Sequence, residues 1–289
     1  MGTSTPFGGN KNGNPLIPSW LDAPADQANG APDQTPQGDP EQGQPNDKPD
    51  PSDPPPTVYL RPGRTLLNKR LRSGGGDRER DRERVRRSVG SYVRQGAGGS
   101  GTAARRMSAS SGAAVGRLGD ILFDASREGI RETVRRLDLG DLAQRSIPEI
   151  YASLVDFVCG EGGDLDESMN RDAYMNAVDE LTGIEGIDLE KPSVETINLL
   201  MELFIAGTID NRIKNAIANG IVLLPETVEQ VRVAEQDVRD FVLGAVREAM
   251  SEVGKLFARE RIRATIDRIY QRAMAVLEVY ADDAAGEAA

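Results

Sequence analysis

An all-α fold is predicted for this chain: a C-terminal helical bundle preceded by a long disordered N-terminal tail and a basic, glycine-interrupted helical linker. Two observations predict it. From about residue 125 apolar residues recur at spacings of three and four throughout, the period of one helix face. Residues 23–57 contain no Trp, Phe, Tyr, Leu, Ile, Val or Met, so they cannot bury enough apolar surface to offset the entropy of ordering them. Charge then divides the 289 residues further. Residues 1–57 carry 2 basic against 8 acidic side chains, residues 58–107 carry 14 against 4, and residues 108–289 carry 19 against 34. Four regions follow: a partner-docking tail over 1–22, an acidic Pro-rich linker over 23–57, a basic helical and Gly-rich segment over 58–107, and an acidic all-α domain over 108–289.

The tail opens Met1-Gly2-Thr3-Ser4-Thr5-Pro6-Phe7-Gly8-Gly9. Gly2 is small enough for an aminopeptidase to remove Met1, which exposes a glycine amine. An α-amino group has a pKa of about 7.7 to 8.0, so a useful fraction is nucleophilic near neutral pH. Leu16, Ile17 and Trp20, bracketed by Pro15 and Pro18, form an apolar plug on a stiff extended stretch, the way short peptides enter grooves. The competing reading is a disordered start with stray apolar side chains. Myristoylation fails in detail, because Pro6 stands where that pattern needs Ser or Thr. The linker that follows supplies reach.

Arg64–Arg72 reads as a short basic helix with Leu66, Leu67 and Leu71 on one side, ended by Gly74-Gly75-Gly76. Asp77–Gln95 reads as a helix whose early acids suit its dipole and whose narrow stripe is Val85, Val89, Tyr92 and Val93. Its alternating acids and arginines favour a charge-laced solvated helix over a nucleic-acid surface, which wants unopposed cations and interleaved aromatics. Gly96–Met107 is a Gly-rich turn entering a helix, with Ser100 or Thr102 as cap. Gly98, Gly99, Ser100, Thr102, Arg105 and Arg106 could contact an anion or a partner there. It lacks a Walker lysine and its strand, and close helix packing is the plainer use of its glycines.

A small-residue helix is expected over Ala103–Leu122, then stripes Ile130–Leu139 and Leu142–Val158, the latter with a start near Pro148 capped by Ser146. Asp164 to Glu167 open a helix running to Leu181. A calcium loop over Glu161–Glu167 is the sharper alternative, but its oxygens do not follow the EF-hand order. Lys191-Pro192-Ser193 starts a helix apolar nearly all round, the expected centre of the body, stopping at Asn219-Gly220. Pro225–Tyr280 is either two antiparallel helices or one long one, with a break nearest Gly254.

The chain has no histidine, which removes Cys/His zinc sites, Ser-His-Asp and Cys-His systems and imidazole bases together. The lone Cys159 ends an apolar run and suits a buried thiol in a reducing compartment. No nucleotide, hydrolase or EF-hand motif is present. No metal ligands or cofactor are expected, no run is long enough to span a membrane, and a cytoplasmic non-enzyme is the expectation.

The Met-Gly-Thr-Ser start with Gly8-Gly9, the Pro15-Leu16-Ile17-Pro18-Ser19-Trp20 box, Ser91-Tyr92-Val93-Arg94 and Gly98–Met107 together resemble the B component of the Qat anti-phage defence system. The resemblance rests on some 35 to 40 of the 289 positions; the acidic helical body is similar only in character. It implies an operon with an ATPase, a QueC-like enzyme of 7-deazaguanine chemistry and a TatD-like nuclease, and a chain that is not itself the catalyst. It also implies that the QueC-like enzyme, with ATP and a 7-deazaguanine precursor, is the main partner. Gly2 would then supply the amine, with Thr3 and Ser4 bonding the groove, Phe7 and Trp20 anchoring, and Gly8 and Gly9 passing a constriction. A nucleic-acid-binding or scaffold adaptor between the ATPase and the nuclease is the alternative.

Overall fold

Amphipathic helices need a common surface to bury their stripes, and a helix that is apolar all round supplies it. The computed structural model describes residues 60–72, 76–218, 228–253 and 261–281, all helix and short turns with no strand among them. The chain divides into two units, Met1–Pro54 and Pro55–Ala289, and every described residue belongs to the second. The helices are α1 Arg61–Arg72, α2 Arg78–Ser91, α3 Ser100–Ser110, α4 Gly112–Glu128, α5 Ile130–Arg136, α6 Ile147–Ser153, α7 Val155–Cys159, α8 Leu165–Thr182, α9 Val194–Ala218, α10 Val228–Val253 and α11 Ile262–Glu278. A π turn, Tyr92–Gly96, extends α2, and a 3-10 turn, Gly140–Gln144, precedes α6.

The apolar helix expected at the centre is α9. Ile197, Leu200, Met201, Phe204, Ile205, Ile209, Ile213 and Ile217 are buried on its several faces, each burial contributing about 1.5–3 kcal/mol before entropy. Ser193 accepts from the Thr196 amide and starts it. Helix α8 runs antiparallel along α9. Gly207 lets the two approach, since a Cβ there would stand 3.0 Å from that of Ala173. Tyr174 meets Phe204 edge to face at 5.7 Å, and Arg212 of α9 pairs with Asp166 at 2.8 Å. Helices α10 and α11 are separate and antiparallel, with Phe241 against Tyr280 at 5.2 Å and Arg272 against Glu252 at 2.5 Å. The stop at Asn219-Gly220, the start at Pro225 and the break at Gly254 lie outside the described residues.

Two expected helices are divided. Ala103–Leu122 breaks at Ser111, where the Ser110 carbonyl accepts from the Asn170 side chain at 3.0 Å. A local pattern carries no sign of a partner 60 residues away. The Leu142–Val158 stripe becomes the 3-10 turn, α6 and α7. The start at Pro148 holds: Glu149 accepts from the Ser146 amide and hydroxyl at 2.9 and 2.7 Å, and those bonds hold its carboxyl below the usual value.

Helices α1 and α2 form a hairpin on the body. Val85, Val89 and Val93 belong to the same core as α9 and α11, so the change of charge at 107/108 falls inside α3 and marks no break in packing. Arg64 caps the end of α9 by donating to the Ala216 and Ile217 carbonyls at 3.2 and 3.3 Å. Arg70, 4% exposed, donates to Asp237 of α10 at 2.9 Å and faces Asp81 of α2 at 3.7 Å. A Cβ on Gly90 would come within 2.6 Å of the Ala281 backbone, so α2 meets the end of α11 backbone to backbone.

Candidate functional site

The Gly-rich stretch between α2 and α3 is built as a turn of distinct geometry. Helix α2 starts at Asp77, whose carboxylate accepts from the Arg80 amide at 3.1 Å, and it widens into the π turn at Tyr92–Gly96. The Ala97 amide then bonds the Tyr92 carbonyl at 2.8 Å and the Gly99 amide the Val93 carbonyl at 2.9 Å. Gly98 and Gly99 both have positive φ, 78° and 90°, a conformation only glycine adopts freely. Gly99 is the N-cap of α3. The expected caps Ser100 and Thr102 are corrected to the first and third helical residues, because the left-handed turn must finish before the helix begins.

A carboxylate of the chain itself meets this helix start. The Ser100 amide donates to Oε2 of Glu278 at 3.2 Å, and Arg94 lies 4.0 Å from the same carboxylate. A carboxylate beside the free amides and dipole of α3 is the arrangement a helix N-terminus favours. Arg105 is exposed and donates to the Thr102 hydroxyl at 3.2 Å. Arg106 faces a recess of about 10 Å³ that it shares with Tyr92, Met107, Arg212, Ile213 and Met274, room for a single water. Burial pushes the Tyr92 phenol up, and Arg212 and Arg106 oppose that shift.

Most arginines of α2 are matched by carboxylates. Arg84 pairs with Asp81, Arg86 with Glu79 and Glu83, Arg87 with Glu83, and Arg82 with Asp237. This is the charge-laced helix the alternation predicts. The second glycine turn, Gly160–Gly163, is closed likewise: Glu167 accepts from the Gly162 and Gly163 amides at 3.0 and 2.8 Å. The carboxylate considered for calcium is thus spent on amides. Among the described residues no group of three or more His, Cys, Asp or Glu could hold a metal ion. Cys159 is buried, and burial pushes its thiol up to about 12, with Arg117 and Arg171 opposing.

Gly2, Thr3, Ser4, Phe7, Gly8, Gly9, Leu16, Ile17 and Trp20 lie outside the described residues. Of the remaining candidates the structure puts Gly98 and Gly99 in the turn, Ser100 and Thr102 in the first turn of α3, and Arg105 and Arg106 on the helix behind them. The sequence reading missed Glu278 and Arg212, which meet this region from 178 residues away and from across the bundle. No periodicity marks such a pair.

The fold and the turn define an all-helical body with a glycine-built junction at the root of α3. No helix among the described residues is long and apolar enough to cross a membrane. A family model described as "Qat anti-phage system associated protein QatB" matches residues 98–277, more than half of the chain, and the chain belongs to that family. It is a component of a Qat anti-phage defence system. No curated protein and no solved structure matches it.

Proposed function

We propose that this chain is the non-enzymatic member of its defence system, and that its N-terminal segment is the substrate of a QueC-like partner. The partner activates the carboxylate of a 7-deazaguanine precursor with ATP. The Gly2 amine, exposed once Met1 is removed, attacks the activated carbonyl carbon. A C–N bond forms, the activating group departs with its electron pair, and the amine proton goes to solvent. Thr3 and Ser4 bond the groove, Phe7, Leu16, Ile17 and Trp20 anchor the segment, and Gly8 and Gly9 let the backbone pass. The ATPase and the TatD-like nuclease of the operon act beside this pair, and the setting is the cytoplasm.

The observation that carries this reading is the match to the Qat anti-phage family. The body supports it by how its reactive-looking groups are committed: Glu278 to the α3 amides, Glu167 to the glycine turn, and Cys159 buried as a thiol. The charge matching along α2 weighs against the nucleic-acid alternative, because paired arginines release few counterions from phosphate. Intact mass of the chain produced with and without the operon's QueC-like enzyme tests the proposal. A mass increase confined to the N-terminal peptide, lost when Gly2 is replaced by a residue that keeps Met1, is expected. Identical masses in both preparations, with the two proteins still co-purifying, would leave the scaffold role instead.

A further inference from the structure

Leu60 is the first described residue of the body, and the contact it makes is a close one. Leu60 is buried. A Cβ built on Gly96 would stand 2.4 Å from Leu60 Cδ2 and 3.1 Å from Tyr92 Cδ2. The leucine therefore occupies the space a side chain at position 96 would fill. Gly96 is the last residue of the π turn, and the glycine turn to α3 begins immediately after it. A π turn is a wide and uncommon ring, often found where a helix does a job beyond packing. Its neighbours are held by few bonds: Ala97 to the Tyr92 carbonyl, Gly99 to the Val93 carbonyl, and Ser100 to Glu278. Tyr92 itself walls both the Leu60 seat and the recess with Arg106 and Arg212.

We infer that Leu60 is a latch, seated in a notch that Gly96 keeps open, and that this seat holds the glycine turn in order. It is a two-position device. With Leu60 seated, Tyr92, the π turn and the Glu278 contact are held together. With Leu60 withdrawn, the turn from Ala97 to Ser100 loosens while α8 and α9 stay packed. Displacement of Leu60 is thereby felt at the end of α11, through Glu278. The inference does not depend on what happens at Gly2.

Hydrogen exchange on the full chain tests it with a two-residue cycle. Gly96→Ala pushes a methyl against the free end of a leucine and, less tightly, against the Tyr92 ring, so the leucine must shift while the backbone need not. Leu60→Ala empties the notch directly. Each single variant is expected to speed exchange over residues 60–66 and 97–100 by about tenfold or more, with 165–217 unchanged, as for a local opening. In the Leu60→Ala background, Gly96→Ala should add much less, because the 2.4 Å clash has gone and only the 3.1 Å approach to the Tyr92 ring remains. Three results would overturn the inference: an equal effect of Gly96→Ala in both backgrounds, unchanged exchange over 97–100 in Leu60→Ala, or lost protection across 165–217 in that variant.

Discussion

The two glycine turns solve one problem in two ways. At Gly160–Gly163 the chain enters α8 and its amides are taken by Glu167, a residue of the first turn of that same helix. At Gly98–Ser100 the chain enters α3 and the amide is taken by Glu278, delivered by the last turn of α11. The first closure forms with its own helix, while the second exists only when α11 has packed along α3. Local closure makes a turn independent of the bundle, and distant closure makes a turn report on it. The region from α1 to α3 is assembled throughout by distant bonds of this kind, including Arg64 to the end of α9 and Arg70 to α10.

The strongest way to break the distant assembly is Asp237→Ala. It leaves Arg70 buried and facing Asp81 at the longer distance of 3.7 Å. Removing one member of a buried pair costs about 3–5 kcal/mol, and the lower end is expected because Asp237 is somewhat more open than Arg70. Urea denaturation should show the loss, and proteolysis should begin in α1–α2 before the α8–α9 pair is cut. Gly90→Ala comes next. Its methyl would meet the Tyr280 and Ala281 backbone, which cannot rotate aside as a side chain can. Such overpacking costs about 1–3 kcal/mol, larger than the roughly 1 kcal/mol that alanine gains over glycine in a helix.

The same division governs what could be read from the chain. The start of α8 at Asp164, the start of α6 at Ser146 and Pro148 and the local charge pairs of α2 were legible because their partners lie within about one helical turn, and α9 because its apolar residues cover nearly every face. The break at Ser111, the Gly99 cap and the Glu278 contact were not. Each depends on a residue that folding brings from 60 or more positions away or on a backbone angle, and periodicity encodes neither. Of the candidate site, the entry of a glycine turn into a helix was legible, but the carboxylate that meets its amide was not.

Two substitutions of matched size sharpen the contrast between the turns. Glu167→Ala and Glu278→Ala each remove a carboxylate from helix-start amides, a loss of about 1 kcal/mol in thermal or chemical melting. The distribution should differ. Loss of Glu167 should speed amide exchange only over residues 160–168. Loss of Glu278 should speed it at 97–102 and also at the end of α11, because two elements share the bond. Confinement of the Glu278→Ala effect to one of those elements would show that the contact is incidental to packing.

The smallest effect tests whether a local partner always suffices. Asp210 in α9 is 3% exposed and pairs with Lys214 one turn on at 2.8 Å, yet its Oδ1 is buried without a hydrogen bond. Burial raises its carboxyl above the ordinary 3.8, and Lys214 and Arg239 only partly oppose it. The folded state thus holds this proton to higher pH than the unfolded chain does. Its contribution to stability is greatest below the unfolded pKa and is lost as pH rises through the raised folded value. Asp210→Asn removes the titration while keeping a side chain of similar shape. The difference in unfolding free energy between the original chain and this variant should therefore shift in the variant's favour as pH is raised from about 4 to 7. A difference that stays flat across that range would mean the Lys214 pairing fully compensates the burial, and that closure within one turn is as complete here as it is at Glu167.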